Sequence, residues 1–209
     1  MYLIYDTETN GLDAPVHIMQ LGAVLLGPDF RELETLDTLV ALPDGVEVHP
    51  KAQAAHGLTA GAVSAGAPPQ TALSRLRALA QNAQWAVAYN NTFDVSVIRD
   101  SAVRLGVEDP FGPLAHFCMM RAMTPVLQLR GFKPGKFKWP RLMEAHQFAL
   151  REGFDMAHSA IEDVRATGRV LEWYVKNVGP LTKGAPGFIK PLNPGVIAHR
   201  MEPGTYGPN

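Results

Sequence analysis

Three runs near the start of the chain, Tyr2 to Thr7, His17 to Leu26 and Glu32 to Val40, carry β-type residues and are split by turn signals at Asn10-Gly11 and Gly27-Pro28-Asp29. Such runs, bounded by Gly, Pro and Asn, predict an antiparallel meander. After Pro69 the period lengthens: Leu73, Leu76, Leu79 and Ala80 recur at helical spacing, and the apolar run Trp85 to Tyr89 follows as an inner strand. Val95, Ile98, Ala102, Val103 and Leu105 predict a helix starting near Thr92. A second helix is expected over Trp139 to Leu150, and a long one through Ala160, Val164, Thr167, Val170 and Leu171, ending near Gly179. Strands first and mostly helices afterwards, with a strand between helices, give an α/β class: a mixed β-sheet flanked by α-helices.

Composition changes this picture at the C-terminus. Twelve of the 31 residues from Gly179 to Asn209 are Gly or Pro, and neither period is visible there. The chain therefore divides into a body, 1–178, and a Gly/Pro-rich tail, 179–209. Phe188, Ile189, Leu192, Val196 and Ile197 make that tail less polar than a flexible linker, so packing on the body and docking to a partner are both open. With 46% hydrophobic and 19% charged residues, a chain of 209 can bury roughly 70% of its unfolded surface, which excludes disorder throughout.

Nineteen Lys and Arg against twenty Asp and Glu leave a net charge of -1, so no global field draws the protein to nucleic acid or an anionic membrane. Any polyanion must meet a local patch. A single cysteine, Cys118, excludes an internal disulfide and a cysteine-built zinc site, and reads as a small buried hydrophobe in a reducing compartment. No apolar run approaches the roughly 20 residues that span a bilayer, and MYLIYDTETNG places acids where a secretory signal is basic and then apolar. A soluble, cytoplasmic protein is expected.

Three segments carry candidate chemistry. Asp6 and Glu8 end the first strand, and side chains two apart on a strand share a face, so two carboxylates converge. Desolvated like charges resist ionisation, and a bound cation is one remedy; a solvated strand end is the other reading. In Asn90-Asn91-Thr92-Phe93-Asp94, Asn91 or Thr92 is placed to cap the following helix, with Asp94 in its first turn as a metal ligand or a partner of the helix dipole. In His158-Ser159-Ala160-Ile161-Glu162-Asp163, histidine and aspartate lie about 140° apart on an ideal helix. They share a site only if His158 sits in the loop or first turn; otherwise His158 is a solvated or capping residue, and Asp163 helix surface. Glu162 reads as surface.

Taken in order, D-x-E in DTETNGL, N-x-x-F-D in NNTFD and H-x-A-x-x-D in HSAIED resemble the DEDD-type 3'-to-5' exonucleases. They match the histidine (DEDDh, or DnaQ-like) subgroup typified by the proofreading subunit of bacterial replicative DNA polymerases. In the sister subgroup a tyrosine stands four residues before the last aspartate, where this chain has Ser159. Val48 to Thr59, ending in H-G-L-T, and Phe137 to Leu142 also resemble the family, whereas Tyr89 departs from a histidine common in relatives. The resemblance covers about residues 2 to 175.

The resemblance implies an RNase H-like fold and single-strand 3'-5' exonuclease activity with two divalent metal ions, Mg or Mn, held by Asp6, Glu8, Asp94 and Asp163. Asp6 would touch both ions, Glu8 and Asp163 the one that activates water, and Asp94 the other. His158 would be the general base, since its reference pKa near 6.5 lets it accept a proton at neutral pH. A zinc centre is rejected for want of a second histidine or cysteine at suitable spacing. Leu12, His56 and Phe93 would hold the terminal nucleotide, and Thr9 and Asn10 would meet its 3'-hydroxyl through the backbone.

Between Arg130 and Arg141 lie five basic residues, including Lys133, Lys136 and Lys138, with no acid, interleaved with Phe132, Phe137 and Trp139. Such a mixture suits a single nucleic-acid strand. The lysines are expected on phosphates, Trp139 as a core anchor opening its helix. DNA is the expected substrate, with an exoribonuclease as the alternative. An inactive binding module would have lost a metal carboxylate, and none is lost. Proofreading would need a polymerase partner, for which the tail is the candidate contact.

Overall fold

The computed structural model describes residues 1–131, 135–153 and 159–190. Strands β1 (Tyr2–Thr9), β2 (Ile18–Leu26) and β3 (Glu32–Leu39) form the expected antiparallel meander. Helices α1 (Pro50–His56), α2 (Ala60–Val63) and α3 (Pro69–Ala80) follow, and then β4 (Trp85–Ala88), which pairs parallel with β1. Helix α4 (Asn91–Leu105) leads to β5 (Ala115–Cys118), parallel to β4, which runs directly into α5 (Met119–Leu127). Helices α6 (Leu142–Leu150) and α7 (Ala160–Asn177) complete the body, and β6 (Phe188–Ile189) adds an antiparallel edge. The sheet order is β3-β2-β1-β4-β5-β6.

The alternation of β1 divides the core. Leu3 and Tyr5 face α3 and α4 with Leu73, Leu76, Val95 and Ile98, whereas Ile4 faces α5, α6 and α7 with Val24, Val87, Phe117, Val164 and Val170. Asp6 and Glu8 continue the Ile4 side, so they point toward the layer that contains α7. That helix packs close to β1 and β2 because two glycines permit it. A Cβ on Gly168 would meet Leu26 at 3.3 Å, and one on Gly22 would lie 2.7–2.9 Å from the backbone of Ala160 and Ile161. Cys118 is fully buried, as expected for a small hydrophobe.

One expectation needs correction, and one left open is decided for the described part of the C-terminal segment. Trp139 is 37% exposed and opens no helix; α6 starts at Leu142, after Pro140, with the backbone N–H of Arg141 donating to Glu144 Oε2 at 2.8 Å. Proline lacks a donor and biases its predecessor toward extended backbone, which leaves Trp139 in the preceding loop. The segment from Gly179 also contains strand structure without a visible period: Phe188 and Ile189 pair with Phe117 and His116. Two residues are too few to show alternation. Among the described residues no helix is long and apolar enough to cross a membrane.

Candidate active site

Beyond Ile4, which pairs with Val87, β1 outruns β4, so its N–H groups on that side need other partners. Asp94 supplies one. It stands in the first turn of α4 at 3% exposure, and its Oδ1 accepts from Thr7 N (3.1 Å) and Thr7 Oγ1 (2.8 Å). Thr7 points to the α4 face while Asp6 and Glu8 point to the α7 face, so this strand end meets carboxylates from both layers. From the α7 side comes Asp163, also in a first helical turn. One oxygen each of Asp6, Glu8 and Asp163 lies within 4.8 Å of the others. Asp94 flanks this trio, and its charge is the largest neighbouring influence on Asp6.

Burial and mutual repulsion make the cluster electrostatically strained. Burial first, then the charges of Asp94, Glu8 and Asp163, hold Asp6 well above the usual carboxylate range. Burial, then Asp163 and Asp94, pushes Glu8 up to about 8. Asp94 is raised to about 7 by burial, even though the two Thr7 hydrogen bonds favour its charged form. Like charges drawn together and partly withdrawn from water in this way are relieved by a cation. The donors are all carboxylate oxygens, which suits hard ions such as Mg or Mn. Asp6, Glu8 and Asp163 therefore could hold a divalent metal, with Asp94 beside them.

The other expected residues fall into three groups. His158 lies outside the described residues, as do Phe132 and Lys133. Thr9, Asn10, Leu12 and His56 gather where β1 exits. Asn10 bonds His17, Glu47 and His49, and Leu12, at 42% exposure, stands out from the surface rather than in the core. Leu58 N donates to His56 Nδ1 (3.0 Å), so His56 Nε2 carries the proton and donates to Thr9 O (3.0 Å). These two bonds commit His56 to shaping the Thr9 backbone. Phe93 is half-buried against the α4-side core.

Lys138 follows the Arg130–Phe137 bridge, and its backbone N–H donates to Leu129 O (3.0 Å). Its Nζ lies 2.5 Å from Glu144 Oε1, so a phosphate would compete with that carboxylate. Tyr89 OH donates to Pro140 O (2.8 Å), which ties the Lys138 segment to the end of β4 that leads into Asp94. Neither Asn91 nor Thr92 caps α4. Asn90 is its N-cap residue, and the Asn91 amide instead donates to Tyr5 OH and Ala86 O within the core. Glu162 is exposed and pairs with Arg165, as a surface residue should.

Two polar residues beside the carboxylates, Thr7 and Gln20, were not singled out from the sequence. Thr7 lies between the paired carboxylates, and period-two geometry sends it to the opposite face, where Asp94 waits. Gln20 is a polar interruption of the otherwise apolar run Ile18 to Leu26, and that was its signal.

An exonuclease (RNase_T) family model matches residues 3–171. Exonuclease I superimposes with a TM-score of 0.71 at 22% identity, over 84% of this chain and 40% of its own. Escherichia coli exonuclease I in complex with a dT13 oligonucleotide gives a TM-score of 0.70 at 22% identity, over 84% and 41%. Exonuclease X in complex with 5' overhanging duplex DNA gives 0.62 at 21% identity, over 89% of this chain and 98% of its own. The chain thus spans about two fifths of exonuclease I and nearly the length of exonuclease X. No curated protein matches in sequence. The likeness is one of fold: a mixed sheet with helices on both faces, of the RNase H-like α/β kind.

Proposed function

The chain belongs to the exonuclease family, and from that premise we propose that it removes nucleotides from the 3' end of single-stranded DNA by metal-dependent phosphodiester hydrolysis. The observation that carries this reading is the convergence of Asp6, Glu8 and Asp163 within 4.8 Å, flanked by buried Asp94. These four side chains would hold two divalent ions, Mg or Mn. When bound, such ions supply an activated water and stabilise charge on the non-bridging and leaving oxygens of the phosphodiester.

The chain's own residues supply the rest. Rigid placement comes from three elements: the end of β1 gives Asp6 and Glu8, and the first turns of α4 and α7 give Asp94 and Asp163. His158, the residue before the α7 N-cap Ser159, takes the proton of the attacking water. Leu12 and Phe93 offer apolar surface to the terminal base, Thr9 and Asn10 offer backbone groups to the 3'-hydroxyl, and His56 keeps that backbone in place. Lys138, with exposed Arg130 and Lys136 and the exposed ring of Phe137, guides the strand upstream of the cleaved bond. The unit 1–178 carries the chemistry, acting in the cytoplasm, and the segment 179–209 is the candidate contact for a polymerase in a proofreading or repair role.

Matched 5'-labelled single strands of DNA and RNA, incubated with Mg or Mn and with EDTA as control, test the reading. A metal-dependent ladder that shortens from the 3' end, faster on DNA, is expected. Faster RNA trimming would reassign the substrate, and no cleavage of either would refute the activity.

A further inference from the structure

The position of Asp163 depends on where α7 begins, and nothing in α7 itself fixes that point. Its N-cap residue, Ser159, makes no side-chain capping bond. The first amides of a helix lack intrahelical partners, and an unsatisfied buried one is costly. Ala160 is fully buried, and its N–H is met from the sheet instead: Gln20 Oε1 accepts it at 3.3 Å. Gln20 lies opposite Glu8 in the β1–β2 ladder, one pair beyond Asp6 and Gly22 on the same face. It is 8% exposed. Its Nε2 donates to Asp37 Oδ1 on β3 (2.8 Å) and lies 3.5 Å from Ser159 Oγ. A carboxylate only accepts hydrogen bonds, so Asp37 fixes which way the Gln20 amide faces and leaves Oε1 for Ala160.

We propose that Gln20, oriented by Asp37, is a positioning residue of the active site: it clamps the first turn of α7 to β2 and thereby sets Asp163 against Asp6 and Glu8. The inference rests on reading those carboxylates as metal ligands. Asp37 orients the amide, the amide holds the helix start, and the helix start carries the third carboxylate of the trio. Partners that orient ligands from behind in this way are worth about 10- to 100-fold in metal affinity or activity when removed.

The test compares wild type with Gln20→Leu, which keeps the volume and loses both hydrogen bonds. A second variant, Gln20→Glu with Asp37→Asn, exchanges the two groups: the amide, now on β3, donates, and the carboxylate, now on β2, accepts from it and from the Ala160 N–H. Three readouts are taken: Mn affinity by calorimetry, kcat and KM on a labelled oligonucleotide, and hydrogen exchange of the Ala160 to Asp163 amides in the metal-free protein. Gln20→Leu should weaken Mn binding and lower kcat by about tenfold or more with KM little changed. Its Ala160 to Asp163 amides should exchange faster, and the exchanged pair, which restores the bond to Ala160 but adds a charge opposite Glu8, should recover the slow exchange alone. Wild-type Mn affinity and exchange in Gln20→Leu would overturn the proposal. A wild-type protein that neither binds Mn nor cleaves would instead sink the functional reading, and the exchange experiment would still decide whether Gln20 holds α7.

Discussion

Asp163 raises the proton affinity of three neighbours, half-buried Asp6 and Glu8 and buried Asp94, so at neutral pH the metal-free protein works against its own site. Replacing Asp163 with Asn removes a charge without changing shape. Thermal unfolding of the metal-free variant should show a higher midpoint than wild type. A gain of about 1 kcal/mol is worth roughly 2–4 °C in a domain of this size. Added Mg should stabilise wild type more than the variant, and a lower metal-free midpoint in Asp163→Asn would contradict the account of repulsion. Thr7 balances the strain at one point, because its N–H and hydroxyl both favour the Asp94 carboxylate.

At the scale of elements, the site exists because α7 comes close to β1 and β2, and Gly22 decides that distance. A Cβ there would press on the backbone of Ala160 and Ile161, which has no flexible end to move aside. Gly22→Ala should cost about 1–3 kcal/mol in chemical denaturation, the usual range for overpacking, and lower turnover by shifting Asp163. Wild-type turnover in that variant would show that the close approach is not needed. Elements with a strong period were legible in the sequence: the meander, α3, β4, α4 and α7 stand where alternation or helical spacing put them. Short elements were not. β5 and α5 are joined at Cys118–Met119 with no turn residue between them, α1 and α2 lack an apolar stripe, and β6 is two residues among glycines and prolines. For the site, the resemblance pointed to Asp6, Glu8, Asp94 and Asp163, and the fold brings these four side chains to one end of β1. The roles of Gln20 and Thr7 were not legible, because they depend on which strands pair and on where β4 stops.

For the whole molecule, a near-zero net charge conceals a concentrated local one, which makes stability depend on pH and metal together. In the folded state Asp94 is raised to about 7 and Glu8 to about 8, from ordinary values of 3.8 and 4.5. Between those limits the folded protein holds protons that the unfolded chain has released. Their contribution to stability is therefore present in full at low pH and is lost as pH rises through the folded-state values. The metal-free unfolding midpoint should fall from about pH 5 to pH 9 by this term, and saturating Mg should flatten the fall, since cations replace the protons. A midpoint whose pH dependence ignores Mg would place the ion elsewhere.

The most direct test of the central claim is the rate at which wild type and Asp6→Asn shorten a 5'-labelled single strand at saturating Mg, with folding checked by circular dichroism. Removing one carboxylate from the cluster should leave the fold nearly intact and cut turnover by orders of magnitude. An Asp6→Asn protein that trims the strand at the wild-type rate would show that this carboxylate cluster is not where the chemistry occurs.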